Sequence, residues 1–313
     1  MTTVRKSGIS KALLKLPTTM RKLDISDVIL KIIVALFVTG FTIMCFYPFY
    51  FIVINSISSA RAVGQGVYLW PRELDLSTYR SLFERPDIGQ AFLISGLRTG
   101  IGTLVTLISC SILGFAFSKR HMFLRTLLYR ILVATMYISA GLIPWYITMR
   151  TYNLQNTFAL YILPFAVNAF YVVLLKTYFE QLPDSLEESA EIDGAGIFII
   201  IFRIILPMAK PILATVAVFS AVMQWGAWQD AFFLVTDRNL LPMQLVLYNY
   251  LMEAERLASV MRQGGRAIGV VPSISPETIR LTAIVVTVSP VLLVYPALQR
   301  YFAKGIMIGA IKG

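Results

Sequence analysis

The sequence predicts an all-α integral membrane protein with six transmembrane helices and with both termini on the cytoplasmic side. Three observations lead to this prediction. The 313 residues are 57% hydrophobic and only 14% charged, whereas soluble domains usually carry about 25% charged residues. Six windows close to the length needed to cross a bilayer, about 20 residues, contain no charged residue. Lys and Arg also concentrate in the segments that this topology places inside the cell.

The six apolar windows define the predicted spans. A span is expected to extend beyond its window in some cases and to stop short of it in others. A seventh run is too short to cross a bilayer and is predicted to be interfacial or re-entrant. The windows are 32–60, 99–118, 131–149, 151–175, 211–229 and 281–299, and the short run is 239–252.

The distribution of positive charge orients these spans. If the N-terminus lies inside, the inner segments are 1–31, 119–130, 176–210 and the tail from Arg300, and they hold most of the 28 Lys and Arg residues. Cytoplasmic segments are enriched in these residues. The sequence therefore predicts a basic cytoplasmic segment at 1–28, a six-helix transmembrane domain at 29–313, and outer loops at about 61–90 and 236–279.

Composition also excludes several kinds of site. The net charge of +11 fits the positive-inside rule, and no basic patch with interleaved aromatic residues indicates nucleic-acid binding. His121 is the only histidine, and Cys45 and Cys110 are the only cysteines, which is too few for a zinc site or a disulfide framework. We therefore predict no catalytic residue, no metal site and no cofactor site.

The most informative segment is the inner one at 183–207. Pro183 followed by Asp184 or Ser185 is a good helix start, and acidic residues in the first turn suit the helix dipole. The helix can run for only about two turns before Gly194, which can adopt positive φ and reverse the chain. A second helix is predicted from about Ile197. The segment is therefore expected to be a short acidic helix that projects from the inner face.

This segment resembles the cytoplasmic coupling motif, or EAA loop, of the permease subunits of binding-protein-dependent ABC importers. Its Asp-Gly-Ala form is similar to the carbohydrate branch, and Ser189 stands where a second alanine is usual. The resemblance continues at 47–56, 116–119, 156–164 and the tail from 299. The long outer loop 236–279 resembles the LplC and YtcP branch of the MalG-like permeases, which is associated with complex oligosaccharides and glycan fragments. The residues that carry the motif are Glu188, Ser189, Ala190, Asp193, Gly194, Ala195, Leu206 and Pro207.

The resemblance implies the type I ABC importer permease fold and a pore-forming subunit for an oligosaccharide or complex glycan fragment. It implies four partners in the bilayer and at its two faces: a second homologous permease, two ATPase subunits docked on the coupling helix, and an extracytoplasmic sugar-binding protein. The location that it implies is the plasma or inner membrane of a bacterium. The sequence has no G-x-x-x-x-G-K-[ST] phosphate loop, so ATP binding and hydrolysis are expected in the partner subunits, and this chain is not expected to be an enzyme.

Candidate substrate contacts come from polar and aromatic residues within the spans. Such residues usually face protein or water rather than lipid, and aromatic faces and amides suit sugars. Trp225, Trp228 and Gln229 share one face of a continuous helix at i, i+3 and i+4, although an aromatic belt at the membrane interface is an equally open interpretation. Asn168 and Tyr171, one turn apart, form a second set.

Two further interpretations follow from the residues. Gly96 and Gly100, spaced as in G-x-x-x-G, are expected to let the second span pack against a neighbour, with Arg98 between them at the interface. The alternative function is a self-contained secondary transporter or channel for a small polar solute. That class needs coupling charges near the bilayer midplane or an internal repeat, and the sequence shows neither a carboxylate pair nor a repeat.

Overall fold

The computed structural model describes residues 25–263 and 275–310, and these residues are largely helical. Outside one isolated antiparallel bridge between Ser58 and Leu74, this part of the chain contains no β-structure. The all-α prediction is confirmed. The predicted basic N-terminal segment lies mostly outside the described residues, as do part of the second outer loop and the last three residues of the tail.

The chain divides into two units, Met1–Tyr50 and Phe51–Gly313. Fourteen α-helices run through the described residues. They are α1 (Ile25–Ser56), α2 (Ala60–Gln65), α3 (Ser77–Phe83), α4 (Pro86–Ser118), α5 (Arg125–Ala134), α6 (Leu142–Thr151), α7 (Ala169–Phe179), α8 (Ser185–Ile192), α9 (Ile197–Ile199), α10 (Leu206–Met208), α11 (Lys210–Gly226), α12 (Gln229–Leu234), α13 (Met243–Gln263) and α14 (Pro276–Ala310).

Three helices are long and apolar enough to cross a membrane by themselves: Ile29–Ser56, Pro86–Ser118 and Pro276–Leu293. They coincide with the first, second and sixth predicted windows. In the first unit, the side chains of α1 from residue 29 to residue 49 are exposed and almost all apolar. Two bent helix pairs raise the number of candidate spans to as many as five.

The third window is not one continuous helix, which corrects the simplest interpretation of 131–149. Helix α5 ends at Ala134, and α6 begins only at Leu142. Gly141 has φ of +80°, which a regular right-handed helix cannot contain. The backbone at Gly141 therefore interrupts the helix within a window that is apolar along its whole length.

The fourth window, 151–175, is also interrupted. Asn153 and Asn156 have positive φ, and two 3₁₀ turns, Phe158–Tyr161 and Leu163–Phe165, precede α7. The axes of these turns and of α7 differ by 48°. Asparagine tolerates the left-handed conformation better than most residues. The window 151–175 therefore begins with a loop, although it contains no charged residue.

The short run 239–252 forms a 3₁₀ turn and the first half of α13, a 21-residue helix whose second half is polar. The structure thus confirms that this run is not a span by itself. α13 packs against α4 and α14, where its buried residues Met243, Val246 and Leu247 join Leu82, Ile88 and Ala91 in one core cluster.

The predicted glycine contact is not made within the described residues. A Cβ at Gly96 or Gly100 would meet no atom within 4 Å, whereas one at Gly102 would lie 2.6 Å from Nε2 of Gln224 and one at Gly114 would lie 2.9 Å from Cβ of Leu175. The close approaches of α4 to α11 and α7 therefore occur at Gly102 and Gly114, beyond the predicted pair. The spacing of two glycines indicates a helix face without bulky side chains, but it does not indicate which helix packs against that face.

Candidate functional site

The predicted short inner helix is present as α8. It follows Pro183 directly, and Gly194, with φ of +78°, reverses the chain. The N–H of Gly194 donates to the carbonyl of Glu191 (3.0 Å), and the N–H of Ala195 donates to the carbonyl of Ala190 (2.9 Å). This pair of hydrogen bonds is the Schellman motif. The end of the helix therefore has a defined geometry that depends on glycine.

The predicted coupling residues lie together in this segment but do not share one surface. Ala190 is only 8% exposed and joins a core cluster with Ile200 and Ile205. Its small side chain is therefore packed within the chain's own core. Exposed positions are Glu188, Ser189, Asp193, Gly194 and Pro207, and half-buried ones are Ala195 and Leu206.

Helix α8 is linked to the C-terminal end of α4 by an ion pair between Lys119 and Glu187. The side chains are 31% and 15% exposed, so water screens this pair less than a fully exposed one. Lys119 Nζ also lies 4.7 Å from the ring centroid of Phe115. Nearby, Glu180 accepts from Arg125 and Lys176. The ion pair connects the segment to α4, and the second cluster connects the end of α7, which precedes the segment, to α5.

The segment continues into the fifth predicted span through α9, a π-helical turn at Ile200–Ile205 and α10. Ile200, Ile201 and Ile205 are buried in the same core cluster as Ala190. The axis then turns by 86° into α11. Core contacts therefore hold the connection between α8 and α11.

The C-terminal end of α11 corrects the prediction of a shared helical face. The helix ends at Gly226, Ala227 is extended, and a new helix begins at Gln229. Trp225, Trp228 and Gln229 therefore do not share one helical face. The Nε1 atom of Trp225 donates to the carbonyl of Thr287 (2.9 Å). Trp228 stacks on Tyr248 with ring centroids 5.0 Å apart, and Gln229 is exposed.

A buried arginine stabilises this helix break. Arg98 on α4 has no exposed surface. Its Nη1 donates to the carbonyl of Ala227 (3.1 Å) and to Oδ1 of Asp230 (3.0 Å), and its Nη2 donates to Oδ2 of Asp230 (2.5 Å). Its Nε donates to Oε1 of Gln224 (3.0 Å). The guanidinium thus satisfies a carbonyl that the break leaves without a helical partner.

Arg98 and Asp230 form a bidentate ion pair in which both side chains are at most 4% exposed. Both charged groups are therefore enclosed within the protein. The guanidinium carbon also lies 4.6 Å from the ring centroid of Tyr161. A partial sequence signal existed, because an Arg in an apolar helix usually needs a polar partner, but the sequence does not indicate which residue supplies it.

Arg98 and Gln224 form part of the wall of a cavity of about 220 Å³ between α4, α7 and α11. Asn168 and Tyr171, the second predicted set, also line it, whereas Trp225, Trp228 and Gln229 do not. Asn168 caps α7, since its Oδ1 accepts from the N–H groups of Phe170 (3.0 Å) and Tyr171 (3.3 Å). The cavity wall is partly polar, with amides, hydroxyls and one guanidinium.

Comparison with known proteins identifies the family, although no family model matches the chain. The chain is 34% identical over 280 residues to the protein LplC of Bacillus subtilis, covering 93% of that protein and 89% of this one. It is 34% identical over 279 residues to the polygalacturonan/rhamnogalacturonan transport system permease protein YtcP of the same organism, covering 96% of that protein and 88% of this one.

The melibiose/raffinose/stachyose import permease protein MelC of Bacillus subtilis is 26% identical over 276 residues, covering 92% of that protein. Among solved structures, a chain of a bacterial ABC transporter involved in the import of the acidic polysaccharide alginate matches with a TM-score of 0.78. The identity is 31%, and the match covers 98% of that chain and 88% of this one. This protein therefore belongs to the permeases of ABC sugar import systems.

Proposed function

We propose that this protein is the pore-forming subunit that carries an oligosaccharide or complex glycan fragment across a bacterial plasma or inner membrane. In this proposal six spans cross the bilayer with both termini inside, loop 183–207 lies in the cytoplasm, and loops 61–90 and 236–279 lie outside. The relatives named for polygalacturonan/rhamnogalacturonan and for alginate support a polymeric sugar substrate. Family membership favours this function over a self-contained secondary transporter.

The observation that carries the mechanism is the anchoring of α8. Its Schellman end, the Lys119–Glu187 ion pair and the buried isoleucines that follow join the exposed acidic face of α8 to α11. A separate ATPase that docks on this face moves α8 as a rigid body when it binds ATP. α11 then moves with it and changes access to the cavity beside Arg98 and Gln224.

The partners follow from the same proposal. A second homologous permease completes the pore, two ATPase subunits bind and hydrolyse the ATP, and an extracytoplasmic binding protein delivers the sugar. Among the predicted path residues, Asn168 and Tyr171 line the cavity and are its proposed sugar contacts. Trp225, Trp228 and Gln229 keep the proposed role of flanking the route at the broken end of the fifth span.

The test replaces Gly194 with proline in the importer reconstituted in liposomes. Proline requires φ near −65°, whereas Gly194 has φ of +78°. We expect the Gly194→Pro variant to insert into the membrane but to lose ATP-driven uptake and co-purification with the ATPase. The matched control is Gly196→Pro, because Gly196 has φ of −70° and a Cβ there would meet no atom within 4 Å. Normal uptake by Gly194→Pro would contradict the lever role of α8.

A further inference from the structure

Two hollows lie side by side along helix α13 and share Asn249 and Glu253. Their volumes are about 560 and 550 Å³, within the range of ligand pockets, roughly 300–1,000 Å³. We name the two together the α13 furrow. They share no lining residue with the cavity beside Arg98; Trp228, the residue after Ala227 of that cavity's wall, stacks on Tyr248 of the furrow.

One end of the furrow is an aromatic platform. Tyr248 and Phe232 are 36% and 48% exposed, and their rings meet edge to face with centroids 6.2 Å apart. Trp228 stacks on Tyr248 at an angle of 24°. The Tyr248 ring is therefore held in a defined orientation by its neighbours while part of its surface remains accessible. A rigid, partly exposed aromatic ring is suited to the apolar face of a pyranose.

The middle and far end of the furrow are polar and positively charged. Asn249, Glu253 and Arg256 follow one another at helical spacing on one face of α13. Arg85 is held by Asp87 (3.2 Å) and by Glu253 (3.4 Å). The hydrogen bond with Asp87 raises the pKa of Arg85. Both carboxylates of the furrow are thus engaged by a single guanidinium.

Two other guanidinium groups in the furrow have no such partner. Arg238 and Arg256 line the two hollows, are exposed, and form no ion pair with any described residue. A guanidinium presents a planar set of donors that matches a carboxylate in a bidentate arrangement. The furrow therefore offers, in two adjoining hollows, a stacking platform, an amide and two guanidiniums that have no ion-pair partner among the described residues.

We propose that the α13 furrow binds an oligosaccharide that carries carboxylate groups, before the sugar enters the cavity. One pyranose ring stacks on Tyr248, hydroxyls bond Asn249, and carboxylates of neighbouring residues engage Arg238 and Arg256. This inference rests on the proposed function and adds to it the chemical class of the substrate and the place where the permease first holds it. The two hollows have room for more than one sugar unit, which suits an oligosaccharide better than a monosaccharide.

The experiment uses the assembled importer in nanodiscs of zwitterionic lipid, without its binding protein, so that only the membrane complex can hold the sugar. The probe is trigalacturonate, and its methyl ester is the uncharged control of the same shape. Binding is measured by saturation-transfer difference NMR. We expect trigalacturonate to bind and the ester to bind about tenfold more weakly, because hydrogen bonds to charged groups contribute more than neutral ones.

Variants test the two ends of the furrow separately. Tyr248→Ala, Arg238→Gln and Arg256→Gln should each weaken binding about tenfold, whereas Tyr248→Phe, which keeps the ring, should retain it. The matched controls are Tyr152→Ala and Arg150→Gln, which remove an exposed aromatic ring and an exposed arginine outside the furrow and should leave binding unchanged. Because Arg256 is exposed, its replacement leaves the fold intact and keeps the test informative if Tyr248→Ala does not assemble.

Four results would overturn the inference. They are equal binding of the acid and its ester, equal loss in the control variants, no binding by the wild-type complex, and displacement of the probe when phosphatidylglycerol is added to the nanodiscs. The last would show that the furrow holds an anionic lipid headgroup. ATP-driven uptake in liposomes with the binding protein present separates this inference from the proposed function. If the sugar is taken up but does not bind the furrow, only the proposal of a furrow site is refuted. If the wild type takes up no sugar, the proposed importer function is refuted.

Discussion

Removing the carboxylate of Asp230 should destabilise the protein strongly, because Arg98 would then be left as a buried charge without its counter-ion. Arg98 has no exposed surface, and Asp230 is 4% exposed. Both oxygens of Asp230 accept from the guanidinium, at 3.0 and 2.5 Å. Breaking a buried, hydrogen-bonded pair of this kind by truncating one partner costs about 3–5 kcal/mol. We expect a loss of that size for Asp230→Ala.

The double replacement Arg98→Met with Asp230→Leu should behave differently. Replacing both partners of a buried pair by apolar side chains of similar volume is often neutral or stabilising. In this protein the replacement also leaves the carbonyl of Ala227 and the amide of Gln224 without their donor, and each such unsatisfied group costs about 1–3 kcal/mol. The double variant should therefore remain less stable than the wild type, but the two single losses should not add.

The assay is unfolding of the purified protein in mixed micelles by titration with SDS, followed by far-ultraviolet circular dichroism. The control is Arg80→Ala, which breaks an exposed i,i+4 pair with Glu84 whose side chains are 81% and 62% exposed, and a change within about 0.5 kcal/mol is expected. A loss below about 1 kcal/mol for Asp230→Ala, or strict additivity in the double variant, would refute the assignment of a buried, coupled pair.

Three further predictions concern backbone positions. Gly114→Ala should lower the free energy of unfolding by about 1–3 kcal/mol, because its Cβ would lie 2.9 Å from Cβ of Leu175 and 3.1 Å from a backbone nitrogen. The control is Gly100→Ala, where a Cβ meets nothing within 4 Å, and it should be neutral or slightly stabilising in the same SDS titration. Gly194→Ala should cost about 1–2 kcal/mol, since a non-glycine residue is strained at φ of +78°, and should reduce coupled ATPase activity while leaving assembly detectable by co-purification. Asn168→Ala should cost about 1 kcal/mol through loss of the α7 cap, whereas Asn168→Asp should retain the cap, and equal stabilities of the two variants would contradict it.

Much of the coupling segment could be predicted because its signals are local. Proline and acidic residues begin α8, and Gly194 ends it with a positive φ. These preferences depend on a few adjacent residues and on the steric limits of the backbone. The long apolar helices α1, α4 and α14 were predicted for a similar reason, since length and absence of charge suffice to indicate a span.

The interruptions of the other windows were harder to predict, because absence of charge says nothing about backbone continuity. Ala190 illustrates the same limit, because a small residue suits either a partner or the protein's own core, and only its neighbours decide between them. Gly102 and Gly114 contact other helices, whereas Gly96 and Gly100 do not. The side of a helix that is covered depends on where the other helices lie.

By itself, the sequence determined the helical class, the long apolar helices and the reversal at Gly194. Each follows from short-range physics, namely hydropathy, capping and allowed φ values. Only the tertiary structure decided that Arg98 pairs with Asp230 beyond the end of α11 and that Arg238 and Arg256 line two adjoining hollows along α13, one of which Tyr248 also lines. Residues 132 positions apart in sequence come together because a buried charge is stable only beside its counter-ion, and that partner is chosen by helix packing rather than by neighbouring residues.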